Sequence, residues 1–225
     1  LDTVSLDVRR GEFVCLLGAS GCGKSTLLNL VAGLDAPTAG SVEVHGRTTL
    51  MFQEAALFPW LTVQRNIDLA LKLSGVPRGA RPAAVADLLE LVHLSAFAER
   101  RPHELSGGMR QRVALARALA QEAEILLMDE PFGALDAMAR DLLHEEVERL
   151  WLERGFTVVF VTHNVREAVR LADRVVLLSS RPGRIVEEFR VGIDRPRRIE
   201  SAPVATLAGS ILDRLRGEVR RHGAV

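Results

Sequence analysis

The sequence predicts an α/β protein, with a parallel β-sheet core, an inserted helical subdomain and a partial N-terminal antiparallel β region. Three observations carry that expectation. "EFVCLLG", "EILLMDE", "TVVFVTH" and "RVVLLSS" are short, continuously apolar runs of the kind that form strands buried on both faces. "KSTLLNLVAGL", "LDAMARDLLHEEVERLWLERG" and "NVREAVRLA" follow such runs at helical spacing, the alternation expected of a parallel sheet. Residues 61–120 turn helical throughout, interrupted only by the glycines and prolines of "SGVPRGARP".

Taken in order, "VSLDVRRGEFVCLLG" alternates like two strands joined by a tight turn at Arg10-Gly11. The start at Leu1 suggests a trimmed chain with an upstream strand missing. The helix after "EFVCLLG" is closed by Gly33, and "GSVEVHG", alternating between glycines, predicts a peripheral strand. "GRIVEEFRV" supplies a last strand, after which a linker of prolines and arginines leads to a C-terminal helix with Leu207, Ile211, Leu215 and Val219 spaced by fours. The expected organisation is a single domain: residues 1–53 and 122–192 form the core and β region, 54–121 the helical subdomain, and 193–225 the linker and C-terminal helix.

Composition narrows the function. Of 225 residues, 29 are Lys or Arg and 29 are Asp or Glu, so net charge points to no nucleic-acid or membrane-surface partner. The apolar runs fall far short of the roughly 18 residues that a membrane span needs, and no signal peptide is visible, so the chain is expected to be soluble alone. Cys15 and Cys22 do not read as a disulfide framework, which suits a reducing cytosol.

"GASGCGKST" carries the strongest chemical signal: Gly18, Ala19, Ser20, Gly21, Cys22, Gly23, Lys24, Ser25 and Thr26 match the phosphate-loop pattern, with a strand before and a helix after. Backbone N–H groups and the positive helix end can surround phosphates, Lys24 can reach the β and γ oxygens, and Ser25 can hold Mg2+. "ILLMDEP" delivers Asp129 and Glu130 to a strand's carboxyl end, where open α/β sheets bind ligands. Asp129 would help hold Mg2+, and Glu130 would take a proton from the attacking water or orient it. By themselves two such acids also fit a solvated turn. His163, ending "FVTH", fits either an exposed structural histidine or a contact to the γ-phosphate, depending on whether its strand lies near Lys24. Gln53 in "MFQE" has no meaning by position alone. "LSGGMRQRVALARAL" opens a second helix with Ser106, Gly107 and Gly108, either an ordinary cap or another anion site.

Taken together, "GASGCGKST", Gln53, "LSGGM", "ILLMDE", "GALD" and His163, in that order, resemble the nucleotide-binding subunit of ABC transporters over essentially the whole chain. The resemblance implies a P-loop NTPase (RecA-like) core that uses ATP and Mg2+. It implies that Gln53 touches Mg2+ or water and couples to the permease, that Asp136 is the D-loop residue, and that His163 is the switch histidine. It implies catalysis by Glu130, His163 and Lys24, with Ser25, Gln53 and Asp129 at the metal. It further implies a homodimer in which Ser106, Gly107 and Gly108 of one copy close on ATP held by the other. Transmembrane permease subunits and, indirectly, a solute-binding protein complete the assembly at the cytoplasmic face of the inner membrane.

"FQEAALFPWLTVQRNI" and "SSRPGRIVEEFRVGIDRPRR" look most like the ATPases of nitrate, sulfonate and taurine importers. The apolar set Leu57, Phe58, Pro59 and Trp60 suits either a groove for a permease helix or helical-subdomain core. Departures are Met109 where the family most often has glutamine, a short segment between "VEVHG" and "MFQE", and an adenine-stacking aromatic that the family places upstream of Leu1. Two other readings are a non-transport ABC ATPase and a nucleotide-sensing module. The first expects two cassettes or an inserted coiled coil. The second is opposed by the intact Lys24, Asp129, Glu130 and His163.

Overall fold

A computed structural model describes residues 1–222; the last three residues of the expected C-terminal segment, 223–225, lie outside the described residues. The elements are β1 (Phe13–Gly18), α1 (Lys24–Val31), β2 (Thr48–Met51), α2 (Val63–Leu73), α3 (Arg81–Leu91), α4 (Gly107–Leu119), β3 (Ile125–Asp129), α5 (Ala137–Arg154), β4 (Thr157–Val161), α6 (Val165–Leu171), β5 (Arg174–Leu178), β6 (Ile185–Arg190) and α7 (Ala202–His222). Short 3-10 turns at Ser95–Phe97 and Pro102–Glu104 precede α4. The chain divides into two compact units.

The first unit comprises Leu1–His45, Leu127–Glu130 and the chain from Gly155 onward. Its strands run in the order β3-β4-β1-β5-β6. β1 is parallel to β4 and β5, and β6 closes the edge antiparallel to β5. Every residue of β1 and β4 is buried. Alternate strand side chains point to opposite faces, so both faces are covered, as the unbroken apolar runs require. α1 packs on β1 and β4, α6 on β1 and β5, and α7 on α6.

Two expected strands do not form. The turn at Arg10-Gly11 is present, but residues 4–8 before it and residues 40–46 later enter no ladder, and Val42 and Val44 are exposed. Alternation marks a strand only where one face meets a core and the backbone meets a partner. An antiparallel pairing does join β5 and β6. In α7 the buried apolar positions are Val204, Ala208 and Ile211, Glu218 is buried as well, and Val219 is exposed. A strict four-residue spacing advances about 40° per step around a helix of 3.6 residues per turn, so one end of the sequence pattern leaves the buried face.

The linker is clamped to α6. Arg197, 5% exposed, donates to the carbonyls of Val169 (3.0 Å), Ala172 (2.6 Å), Val191 (3.2 Å) and Ile193 (2.8 Å). Arg195 donates to Leu171 O and to Asp173. The final carbonyls of a helix lack intrahelical partners and attract cations, so this linker completes the C-terminus of α6.

The second unit comprises Gly46–Leu126 and Pro131–Arg154. α2, α3 and α4 pack on one another, with β2 against α4. α2 buries Val63, Ile67, Ala70 and Leu71 at helical spacing, and Asn66 on the same face is fully buried. The Asn66 amide donates to Phe58 O, Leu61 O and Thr62 O and accepts from the Phe58 N–H, which fixes the loop carrying Phe58 and Trp60.

Replacing Arg197 with leucine strands several buried carbonyls. The expected loss is about 3 kcal/mol of unfolding free energy, read from the urea midpoint. An unchanged midpoint contradicts the clamp.

Candidate functional site

The first unit gathers Gly18, Ala19, Ser20, Gly21, Cys22, Gly23, Lys24, Ser25, Thr26, Asp129, Glu130 and His163 at the carboxyl ends of three neighbouring strands, β3, β4 and β1. The loop from Gly18 to the start of α1 turns through Gly21 (φ 75°) and Gly23 (φ 105°). It encloses Lys24, a residue 8% exposed whose ammonium donates to Gly18 O at 2.9 Å and Ala19 O at 3.0 Å. Cys22 Sγ lies 3.8 Å from the same nitrogen, and both cysteines are buried and free. The first N–H groups of α1 have no intrahelical acceptor and give this end the positive pole of the helix.

Asp129 ends β3 beside Ser25, whose hydroxyl hydrogen-bonds to its carboxylate. Burial raises the Asp129 carboxyl above the ordinary aspartate range and the Glu130 charge adds to that, while the Ser25 hydroxyl and the Lys24 ammonium pull the other way. Together Ser25 and Asp129 form a hard-oxygen pair suited to a small divalent cation. Among the described residues no cluster of three His, Cys, Asp or Glu side chains could hold a metal.

Glu130 follows with φ 47°, a left-handed conformation that non-glycine residues adopt at a cost of about 1 kcal/mol. Its N–H donates to Val161 O at 2.9 Å, which draws the end of β3 to β4. Glu130 Oε2 lies 3.2 Å from His163 Nδ1, and the imidazole is largely exposed. A carboxylate can only accept, so Nδ1 carries the proton in this contact. The condition set on His163, that its strand lie beside the strand leading to Lys24, is met by the β4–β1 pairing.

His163 is held by its neighbours. The Thr162 hydroxyl donates to the buried Glu167 carboxylate and accepts from the Asn164 N–H. Asn164 in turn caps α6 through the N–H groups of Arg166 and Glu167.

The second unit carries Gln53, Ser106, Gly107, Gly108 and Asp136. Ser106 is the N-cap of α4, its hydroxyl accepting from the Met109 N–H at 3.2 Å. Ser106 and Gly107 are exposed and Gly108 is half-buried, so hydroxyl and N–H groups meet solvent at a helix N-terminus. Asp136 accepts from the Ala139 N–H at 2.9 Å and so caps α5. Gln53 is exposed, and its backbone carbonyl accepts from Gln111.

Some contacts escaped the motif reading. Arg181, between β5 and β6, donates from Nε to Gly21 O at 2.9 Å. At Gly183 a Cβ would stand 2.0 Å from Cys22 O, so this connection presses backbone to backbone on the phosphate loop. In sequence, "SRPGR" signals only a turn.

Comparison with known proteins places the chain among families and folds. Residues 1–133 match the family described as ABC transporter. The aliphatic sulfonates import ATP-binding protein of Mesorhizobium japonicum is 51% identical over 223 residues, covering 96% of this chain and 83% of that protein. The nitrate import ATP-binding protein of Synechocystis sp. is 46% identical over 201 residues, covering 86% and 76%. Among solved structures, a dimeric post-hydrolysis state of the ATP-binding cassette MJ0796, bound to ADP and Pi, is similar with a TM-score of 0.78 at 33% identity, covering 85% of this chain and 90% of that one.

The raised Asp129 pKa has a testable sign. A carboxyl whose folded value exceeds its unfolded value contributes stability below the unfolded value, about 4, and loses it as pH rises through the folded value. Ligand-free Asp129→Asn is therefore expected to be more stable than the wild type at pH 7, with the difference closing below about pH 4. A pH-independent difference in urea titrations contradicts this cause.

Proposed function

The chain belongs to the ABC transporter family, and from that premise we propose that it is the ATP-hydrolysing subunit of an importer for a small solute such as nitrate, a sulfonate or taurine. What carries the reading is the side-by-side arrangement of the Lys24 loop, the Ser25–Asp129 pair and the Glu130–His163 pair at adjacent strand ends of one unit.

The Lys24 ammonium is held by carbonyls that phosphate oxygens can replace, and the loop N–H groups and the α1 terminus receive the rest of the triphosphate. The Ser25 hydroxyl and Asp129 carboxylate would hold Mg2+, which neutralises charge building on the β and γ oxygens. Two protein oxygens fit an ion that usually completes its shell with phosphate oxygens and water, and Gln53 is the further ligand proposed from the family resemblance. Burial keeps Asp129 costly while uncompensated, so a cation there relieves an existing penalty.

Glu130 is the base that takes the proton of the attacking water. His163, within hydrogen-bond reach of its carboxylate, orients it and contacts the γ-phosphate. Ser106, Gly107 and Gly108 serve the nucleotide of a second copy: exposed N–H donors and a positive helix end suit a γ-phosphate arriving from outside. Two copies then bury two ATP molecules in a head-to-tail dimer, with Asp136 at the D-loop position, and hydrolysis opens it. That a related cassette is described as dimeric and bound to ADP and Pi supports this assembly.

No helix among the described residues is long and apolar enough to cross a membrane. The import names of the relatives support a peripheral subunit at the cytoplasmic face, held by permease subunits and served indirectly by a solute-binding protein. An apolar groove of ≈ 300 Å³ in the second unit, lined in part by Phe52, Ala55, Phe58, Leu69 and Leu73, supports docking of an amphipathic permease helix. Trp60, 67% exposed, packs against Phe58 in a tilted arrangement with ring centroids 5.6 Å apart.

In Glu130→Gln, ATP binding is retained, dimers accumulate with ATP and Mg2+ on size exclusion, and turnover falls by roughly 10²–10⁴-fold. A monomer under those conditions defeats the head-to-tail arrangement. Trp60→Asp is expected to abolish co-purification with the permease while ATPase activity of the isolated chain stays within about twofold. Undiminished co-purification removes the groove from the interface.

A further inference from the structure

Gln111 lies on α4, the helix that Ser106 opens, and is 7% exposed. Its side-chain amide spans two segments of the second unit. Nε2 donates to the backbone carbonyl of Gln53 at 3.3 Å, and Oε1 accepts from the Ala134 N–H at 3.0 Å. The orientation of the amide follows from its partners, since only the NH2 can serve a carbonyl and only the oxygen can serve an N–H.

Other contacts show the same two segments fastened to α4. Three residues before Gln111, on the same face, Gly108 leaves no room for a side chain: a Cβ there would stand 3.0 Å from Ala134 O and 3.1 Å from a Leu135 methyl. Farther along, Arg117 donates to Ala56 O at 2.7 Å and Ala55 O at 3.1 Å, securing the chain just after Gln53. Ala134 stands two residues before Asp136, whose own position follows from its cap on α5. One buried amide thus joins the backbone that carries Gln53, the helix that carries Ser106 and the backbone that leads to Asp136.

We propose that Gln111 is a positioning residue that couples these three segments, so that displacement of the Gln53 backbone is passed to the Asp136 segment and to the turn of Ser106, Gly107 and Gly108. It touches no substrate. Its amide is a strut whose two ends are a donor bond and an acceptor bond, each to a main-chain group. The inference builds on ATP hydrolysis by this chain and adds a route by which events at Gln53 reach Asp136 and the turn of Ser106, Gly107 and Gly108.

Two substitutions separate a strut from a filler of the core. Gln111→Glu keeps the acceptor for the Ala134 N–H and loses the donor to Gln53 O. Gln111→Met keeps the length and loses both bonds. A purely structural role favours methionine, because a buried carboxylate costs more than a thioether. The strut favours glutamate.

The expected result is opposite orders in two measurements on the isolated chain. Melting temperature is at least as high in Gln111→Met as in Gln111→Glu, while kcat for ATP falls about thirtyfold in the former and only about threefold in the latter, KM staying within about twofold. Exchange of the Ala134 amide is expected to stay slow in Gln111→Glu and to quicken about tenfold in Gln111→Met. Activity that tracks melting temperature, or equal Ala134 exchange in both variants, overturns the proposal. A wild-type chain without ATPase activity refutes the underlying function instead, and Ala134 exchange still decides the strut.

Discussion

A buried ammonium held by main-chain carbonyls governs the local structure of this protein. Lys24 is 8% exposed and donates to Gly18 O and Ala19 O. An ammonium removed from water and left without acceptors costs several kcal/mol, so the loop has to close around the nitrogen. Closure requires the reversed turns at Gly21 and Gly23, and it leaves the β5–β6 connection packed so tightly that Gly183 faces Cys22 O without room for a Cβ. The result is a preformed cradle: the cation is already in place, and a phosphate that replaced those carbonyls would require little chain to be reordered.

The parallel sheet extends this constraint to the acids and the histidine. Strands that run the same way end at the same edge, so β3, β4 and β1 bring Asp129, Glu130 and His163 to the side where the Lys24 loop begins. The environments of the two acids then diverge. Asp129 is buried against Ser25, with its carboxyl raised above the ordinary range, whereas Glu130 turns out through a left-handed backbone toward the exposed imidazole of His163. Adjacent residues of identical charge are in this way suited to different tasks, one to a cation and one to a proton.

In the second unit, helix termini supply the polar groups. Ser106 caps α4 and Asp136 caps α5, and both are among the residues proposed to meet the nucleotide of a second copy. Capping and ligand binding do not compete fully: the Ser106 hydroxyl satisfies one N–H of the first turn, and other N–H groups of that turn have no intrahelical acceptor. Met109 in place of an amide leaves this cap intact, since its contribution to the cap is its backbone N–H.

Much of this was legible in the sequence because it is local. The phosphate loop, its flanking strand and helix, the apolar runs of β1, β3, β4 and β5, and the helical stretch broken at "SGVPRGARP" each depend on neighbours within a few residues, as does the serine cap of α4. The expected strands at residues 4–8 and 40–46 failed for the complementary reason: period-two patterning describes a strand's own faces and says nothing about whether a partner is present.

Tertiary structure alone decided the rest. It set the strand order that puts His163 within reach of Glu130. It also set the packing of "SRPGR" on the phosphate loop, the capture of α6 by Arg197, and the bridge that Gln111 makes between Gln53 and Ala134. Those contacts join residues 23 to 160 positions apart. A sequence displays which groups can donate, accept or carry charge, but which of them meet is settled only when strands pair and helices pack.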